Sequence, residues 1–453
     1  MAVLIVLLVM ASMASFGAAY YLFSTRWARQ DILAAKYATD NLTTPQADLS
    51  DTPNAERYLT YLPHGGFHNQ RIALENAFTM SHILNRTLVL PPVRLGKPVH
   101  YSASEQLRFM LGQSGKEGLR HCQGVQPRPV ECLDYFDYTY LPWDWFVDLR
   151  NMTTGYVPLS EFSEEGFKDV YTLADDRLYD YRFVDSITGG KDKFSQHVLL
   201  SDLNAQPQKL LRLGTLFGTS RLHLGKANSH ILKTFRRAMV FTNPIMLSVS
   251  KAIAHAMGNR YLAVHVRLSD GQFKQHVEET IRDMWWAIMR DQLAFTDEEA
   301  LSIERNMTHS DALQAPAILG QARVTEARSV TAPQASNSVA CHGQLHSSAA
   351  SQRLNTVLFI ATDVSHPWQS PVFDSFRRIF PCLFFLDDFA EILNNLDGLV
   401  NAYDGLDMKG FILPFLDALV AGLAESVIGT KDSTFSMFVQ DILWRTEHGL
   451  DIL

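Results

Sequence analysis

Four short polar clusters hold the residues best able to do chemistry. The run His265-Val266-Arg267-Leu268-Ser269-Asp270 follows an apolar stretch that starts at Tyr261. On a strand, His265 and Arg267 share one face. An arginine at such a point is costly unless it meets an anion, and its planar fork matches the oxygens of a diphosphate. Asp270 is placed to hold Arg267, and the plainer alternative is a buried Arg–Asp pair. A second cluster, Gly65-Gly66-Phe67-His68-Asn69-Gln70, has two glycines that let backbone approach a ligand, and Asn69 offers both a donor and an acceptor; a simple tight turn is the alternative. The third, Ala361-Thr362-Asp363, ends an apolar run, where Asp363 can bond a base or ribose or cap the next helix. The fourth is Gly429-Thr430-Lys431-Asp432-Ser433-Thr434-Phe435-Ser436. Hydroxyls at a helix start sit beside free N–H groups and the positive end of the helix dipole, an arrangement that holds phosphate. Ordinary N-capping by Asp432 or Ser433 explains the same residues.

These clusters need elements to position them. Tyr58–Leu62 reads as a β-rich run, and Ala73, Ala77, Met80 and Leu84 share a helical face after the glycines. Leu88–Leu90 then reads as a strand stopped by Pro91-Pro92, which completes a βαβ unit. The middle, roughly 95–240, is less regular and rich in aromatics such as Tyr135-Phe136 and Trp143-Asp144-Trp145-Phe146, residue types found more often in cores than stacked on sugars. A second βα series begins at Tyr261 and resumes at Val357–Ala361, with a helix around Val372–Ile379 and a strand at Leu383–Leu386. A long apolar helix, Gly410–Ala424, the strand Ser426–Ile428 and a helix from Ser433 to Trp444 follow. The stretch from about 296 to 353, Ser/Ala/Gln/Thr-dominated over 328–352, reads as a structureless insertion. Alternation of strands and helices in both halves predicts two doubly wound sheets.

A chain of 453 residues exceeds what one core usually serves. Its net charge of −8 and lack of a basic tract demote nucleic-acid binding. Residues 1–23 form an uncharged apolar run, read as a signal anchor with a cleaved signal peptide as the alternative. Arg26, Arg29 and Lys36 follow that run, and by charge alone they would keep the chain cytoplasmic. Two features argue for an oxidising lumen. Sequons stand at Asn41, Asn85, Asn151 and Asn306, and the four cysteines Cys122, Cys132, Cys341 and Cys382 fall into two local pairs fit for disulfides. Four buried thiols in a cytosolic protein are the alternative. Residues 24–56 read as a stem, 57–240 as an N-terminal and 241–453 as a C-terminal Rossmann-like domain.

In order along the chain, the clusters resemble the motif series of the GDP-fucose fucosyltransferases, the superfamily of protein O-fucosyltransferases and α1,6-fucosyltransferases. Gly65-Gly66-Phe67-His68-Asn69-Gln70 resembles its Gly-x-Phe-x-Asn-Gln motif, with Leu84-Asn85-Arg86-Thr87-Leu88 and the Pro-Pro pair following as in the family. His265-x-Arg267 resembles its His-x-Arg element. Ala361-Thr362-Asp363 and Ile428-Gly429 with Ser433-Thr434-Phe435-Ser436 are similar to its last two motifs. The likeness runs from about 58 to 445.

The resemblance implies a GT-B fold, two Rossmann-like domains facing a cleft, with GDP-fucose bound mainly by the C-terminal one. It implies inverting transfer to a protein or glycan hydroxyl, with no obligatory metal or other cofactor. By motif position Arg267 would bind the β-phosphate, and Asn69 would orient substrates near the anomeric carbon. Gly65, Gly66, Phe67, His265, Asp270, Asp363, Ser433, Thr434 and Phe435 would form the rest of the donor site. The implied setting is a membrane of the endoplasmic reticulum or Golgi with a luminal catalytic region. Leu268-Ser269 departs from the family, which often has a second Arg or a Gly there. That departure keeps open a non-catalytic glycan- or nucleotide-binding relative and an enzyme using another sugar nucleotide.

Overall fold

The computed structural model describes residues 56–150, 152–164, 167–186, 192–269, 271–310, 312–325 and 340–453. The expected anchor and stem, Asn41, Asn151 and Asp270 lie outside the described residues. No helix among the described residues is long and apolar enough to cross a membrane.

Two five-stranded sheets carry a mixed α/β fold. The first is built from β1 (Tyr58–Thr60), β2 (Thr87–Leu90), β3 (Tyr156–Pro158), β4 (Val170–Leu173) and β5 (Leu210–Leu213). All pairings are parallel, in the order β3-β2-β1-β5-β4. The helix α1 (Phe67–Ile83) crosses from β1 to β2, as the apolar spacing predicts. Its sequel is fixed by Arg86, whose guanidinium donates to the carbonyls of Gln208 at 2.8 Å and Gln206 at 3.0 Å. Gln70 ties the turn before α1 to the strand Val93–Gly96 by accepting from the Arg94 N–H and donating to the Arg94 carbonyl.

The second sheet holds β6 (Leu262–Val266), β7 (Ala322–Val324), β8 (Leu358–Thr362), β9 (Leu383–Phe384) and β10 (Ser426–Thr430). Its order is β7-β10-β6-β8-β9, parallel except for β7. β6 and β10 are buried along their whole length, which suits central parallel strands covered on both faces. Side-chain alternation sends Leu262, Val264 and Val266 into a core with Trp285 and Trp286 of α3 (Val277–Trp286). The opposite face, with Ala263, Phe359, Ala361 and Val427, joins a second core that also takes in Leu59, Ala73 and Leu88 of the first half. Helix α5 (Lys409–Gly422) covers that face and packs on α2 (Pro244–Ala256). The order reverses at β6, so the crevice beyond Val266 and Thr430 is where an open α/β sheet receives ligands.

The stretch read as a structureless insertion is ordered over much of its length. Helix α4 (Asp297–Thr308) opens with a capping box, in which Thr296 and Glu299 satisfy each other's backbone N–H groups. Glu304 on α4 accepts from Arg282 at 2.6 Å and from the Trp286 indole at 3.1 Å. β7 then pairs with the edge of β10. Only 326–339 of this stretch, with the single residue 311, fall outside the described residues. The cysteines pair as Cys122–Cys132 and Cys341–Cys382. Asn85 and Asn306 are exposed.

A buried ion pair joins distant parts of the chain. Lys116 Nζ lies 2.8 Å from Asp404 Oδ2, with both side chains fully buried. Thr139 donates to the same carboxylate oxygen at 2.8 Å, and Lys116 also donates to the Tyr135 carbonyl at 2.6 Å. Removing one partner strands the other charge in the interior. We predict that Asp404→Ala lowers unfolding stability by about 3–5 kcal/mol, measured by guanidinium titration with the disulfides intact; a change below about 1 kcal/mol would show that the pair contributes nothing.

Candidate functional site

At the carboxyl end of β6 the chain leaves the sheet through Arg267. Its guanidinium is about a third exposed, and Nε lies 3.2 Å from Asp363 Oδ2 just past β8. The Asp363 carboxylate also accepts from the N–H groups of Leu268 at 2.9 Å and Ser269 at 3.0 Å. Ser269 Oγ donates to the Asp363 carbonyl at 2.8 Å. The two residues that depart from the family pattern thus fasten the Arg267 loop to the neighbouring strand. Asp363 holds Arg267, while Asp270, expected to do so, lies outside the described residues.

From the other side, Thr430 at the end of β10 accepts from the Arg267 N–H at 3.0 Å and donates to the His265 carbonyl at 3.2 Å. Gly429 lets the helical segment that follows pack close against β10, because a Cβ there would lie 2.7 Å from Gln440 Oε1 and 2.8 Å from Ser436 Cβ. Ser433 caps α6 (Thr434–Phe438) by accepting from the Ser436 N–H at 3.3 Å. Ser433 is 2% exposed, so its side chain is committed to that cap. Thr434 and Phe435 are half-buried.

The Phe435 ring gathers three of the four clusters. The His265 imidazole stacks on it at 4.3 Å and 12°. His68, in the first turn of α1, meets it edge-on at 4.6 Å. His265 is anchored by a 2.6 Å hydrogen bond between Nδ1 and Ser436 Oγ. Burial, and then the charge of Arg267, holds its imidazole down to about 3. His68 is pushed well below the usual histidine range by burial, then by Arg71, His265 and Arg267. Both rings are therefore neutral at physiological pH, and the positive charge at the crevice is that of the arginines.

Asn69 follows His68 and is half-buried. Gly65 takes φ +74°, and a side chain there would meet the Asn69 amide at 2.6 Å. Gly66, the N-cap of α1, is exposed, with open space where a Cβ would stand. Phe67, expected among the ligand contacts, turns its ring into the core against Trp143, Phe146, Phe241 and Phe415.

Sequence reasoning left Thr430, Ser436, His68 and Asp417 out of the site. Asp417 lies on α5, near the backbone of Thr362. Burial, and then the charge of Asp387, pushes its carboxyl well above the usual range. Its Oδ1 is buried without a hydrogen-bond partner. The available signal was a lone carboxylate inside the apolar run Phe411–Val420. Among the described residues, His121, Cys122 and Cys132 are the one trio with metal-ligand spacing, and the two sulfurs are joined to each other.

No family model matches the chain. O-fucosyltransferase 30 of Arabidopsis thaliana is 22% identical over a 299-residue alignment that covers 52% of this chain and 59% of that protein. The chain thus spans less than two thirds of its relative's length. Crystal structures of POFUT1, one of the apo form and one in complex with GDP-fucose, share 12% identity with the chain at a TM-score of 0.36. The first covers 88% of this chain and 98% of its own, the second 86% and 94%. A score that low carries no conclusion about this chain. The sequence likeness is to the O-fucosyltransferase-like superfamily, the one its motif series resembles.

The neutral histidines set a pH dependence. His265 protonates freely in the unfolded chain below about 6.5, while the fold holds it down to about 3. Its contribution to stability is complete above about pH 6.5 and is lost as pH falls towards the folded value. His64, lowered to about 4, acts with the same sign. Asp175, raised to about 6 by burial, acts with the opposite sign below that pH. We predict that the guanidinium midpoint falls between about pH 7.5 and about pH 5, and falls less steeply in His265→Gln. Equal slopes in the two proteins would exclude a buried neutral His265.

Proposed function

We propose that this protein is a glycosyltransferase that moves fucose from GDP-fucose to a protein or glycan hydroxyl with inversion, in a membrane-tethered, luminal setting. The reading rests on Arg267, a part-exposed guanidinium held by Asp363 at the switch point of a parallel sheet, beside the Thr430–Ser436 turn. A diphosphate in that crevice meets one fixed charge and the start of a helix. Support for the sugar and the nucleotide comes from the motif order and from the likeness to an O-fucosyltransferase. Two disulfides and the exposed Asn85 and Asn306 sequons suit a luminal protein.

On this reading the C-terminal half holds the donor and the N-terminal half presents the acceptor. The acceptor oxygen bonds to the anomeric carbon as the bond to the β-phosphate oxygen breaks, the electron pair leaves with GDP, and the acceptor's hydroxyl proton is released to solvent. The sugar passes through an oxocarbenium-like state while charge grows on the departing diphosphate. Arg267 neutralises that charge without an obligatory metal, and a fixed contact of this kind is worth roughly 3–4 kcal/mol. Its tether to Asp363 and Thr430 matters because a donor already in place needs no reorganisation during reaction. The stacked, neutral His265 shapes the crevice and adds no competing charge.

A second reading, a nucleotide-binding relative without turnover, is favoured by the ion pair that Asp363 already makes with Arg267. One assay separates the readings: the full chain is incubated with a panel of sugar nucleotides and release of nucleoside diphosphate is followed. GDP from GDP-fucose supports the transferase, another diphosphate points to a different donor, and binding without release supports the second reading. We predict that Arg267→Ala lowers GDP release from GDP-fucose by about a hundredfold or more. Turnover within a few-fold of wild type would discard the assigned role.

A further inference from the structure

A neutral imidazole always carries one N–H donor and one bare acceptor nitrogen. In His68 both nitrogens are buried without a hydrogen-bond partner, and the side chain is 7% exposed. Leaving such groups unmet is costly, and a buried group of this kind calls for a partner that completes it. One turn along the same face, Arg71 Nε is also buried and unpartnered.

The surroundings say what that partner is. His68 packs against Phe435 at 4.6 Å and Phe438 at 4.9 Å, neither of which can bond it. Arg71, whose guanidinium lies 4.8 Å over the Phe438 ring and pairs with Glu75, is one charged neighbour, and Arg267 and His265 act on it as well. Burial, Arg71 and Arg267 all disfavour a positive ring, so the unmet ring N–H suits a ligand oxygen bearing negative charge. The first turn of α1 adds to this. It has Gly66 as N-cap, no side-chain cap and no acidic residue, so the N–H groups of Phe67 and His68 have no capping side chain. Helical side chains lean towards the N-terminus, which sets the His68 ring beside that open turn. Access exists, since Gly66 is exposed and the Phe435 ring that covers His68 is only half-buried.

We propose that His68 is a further donor-binding residue, giving its ring N–H to a phosphate oxygen of the bound nucleoside diphosphate as Phe435 shifts aside. This rests on the functional reading above. It links the N-terminal half directly to the phosphates that Arg267 meets from the C-terminal half, so that donor binding draws α1 and α6 onto one ligand. Histidine suits this position better than lysine would, because a neutral donor can be buried before the ligand arrives.

The test compares the full chain with His68→Phe, which keeps an aromatic ring against Phe435 and Phe438 but cannot hydrogen-bond, and with His68→Asn and His68→Gln, which restore a donor near one or other ring nitrogen. GDP and guanosine are titrated by calorimetry. The expected result is an affinity for GDP about tenfold weaker in His68→Phe, an affinity for guanosine unchanged, and recovery of GDP binding in the Asn or the Gln variant. In the wild-type chain, the ring-nitrogen resonance that His68→Gln lacks moves on adding GDP and stays put with guanosine, a readout that does not depend on the Phe variant folding. GDP affinity unchanged in His68→Phe, or equal losses for GDP and guanosine, overturns the contact while leaving the functional reading intact. A wild-type chain that binds no GDP overturns that reading and this contact with it.

Discussion

The packing of one phenyl ring between two histidines is the constraint from which the site follows. Phe435 can stack on His265 only if β10 ends beside β6, and Gly429 permits this by letting the following helix approach within contact distance. The ring can meet His68 only if α1 of the first sheet reaches the second. Three segments, spread along the sequence from His68 through His265 to Phe435, are thereby brought to one crevice. The core that continues from Leu59 and Ala73 to Phe359 and Val427 is the apolar counterpart of this contact.

The electrostatic consequence is an uneven distribution of charge. His265 and His68 are held neutral by burial and by nearby arginines. Asp363 is committed to Arg267 and two backbone N–H groups, and Asp417 is held largely protonated by burial. What remains at the mouth of the crevice is a guanidinium fixed in direction and partly open to solvent. Such a group favours a ligand that carries its negative charge in adjacent oxygens. The same residues that differ from the family, Leu268 and Ser269, supply the amides and hydroxyl that fix the loop, so the departure has a local structural role.

Much of this could be read from residue order. The βα alternation, the helix after Gly66, the buried strand before Arg267 and the turn at Ser433 all have local signals, apolar period or helix start, that survive without knowledge of partners. What the residues concealed was which atoms meet. Asp363 lies almost 100 residues from Arg267, and Ser436 lies 171 from His265, and nothing local marks either pairing. Phe67 looked like a ligand contact because it stands inside a motif, yet four aromatic neighbours from distant segments claim its ring. Helix α4 was overlooked for the opposite reason. Its capping box, Thr296 to Glu299, was in plain view but outweighed by the polar composition of the stretch that follows.

The central claim is that a nucleoside diphosphate sits against Arg267 at the ends of β6 and β10. A crystal structure of the full chain grown with GDP-fucose tests this most directly. The account predicts diphosphate oxygens about 3 Å from the Arg267 guanidinium, beside the Thr430–Ser436 turn. Nucleotide bound elsewhere on the molecule, with Arg267 turned away from it, would contradict the account.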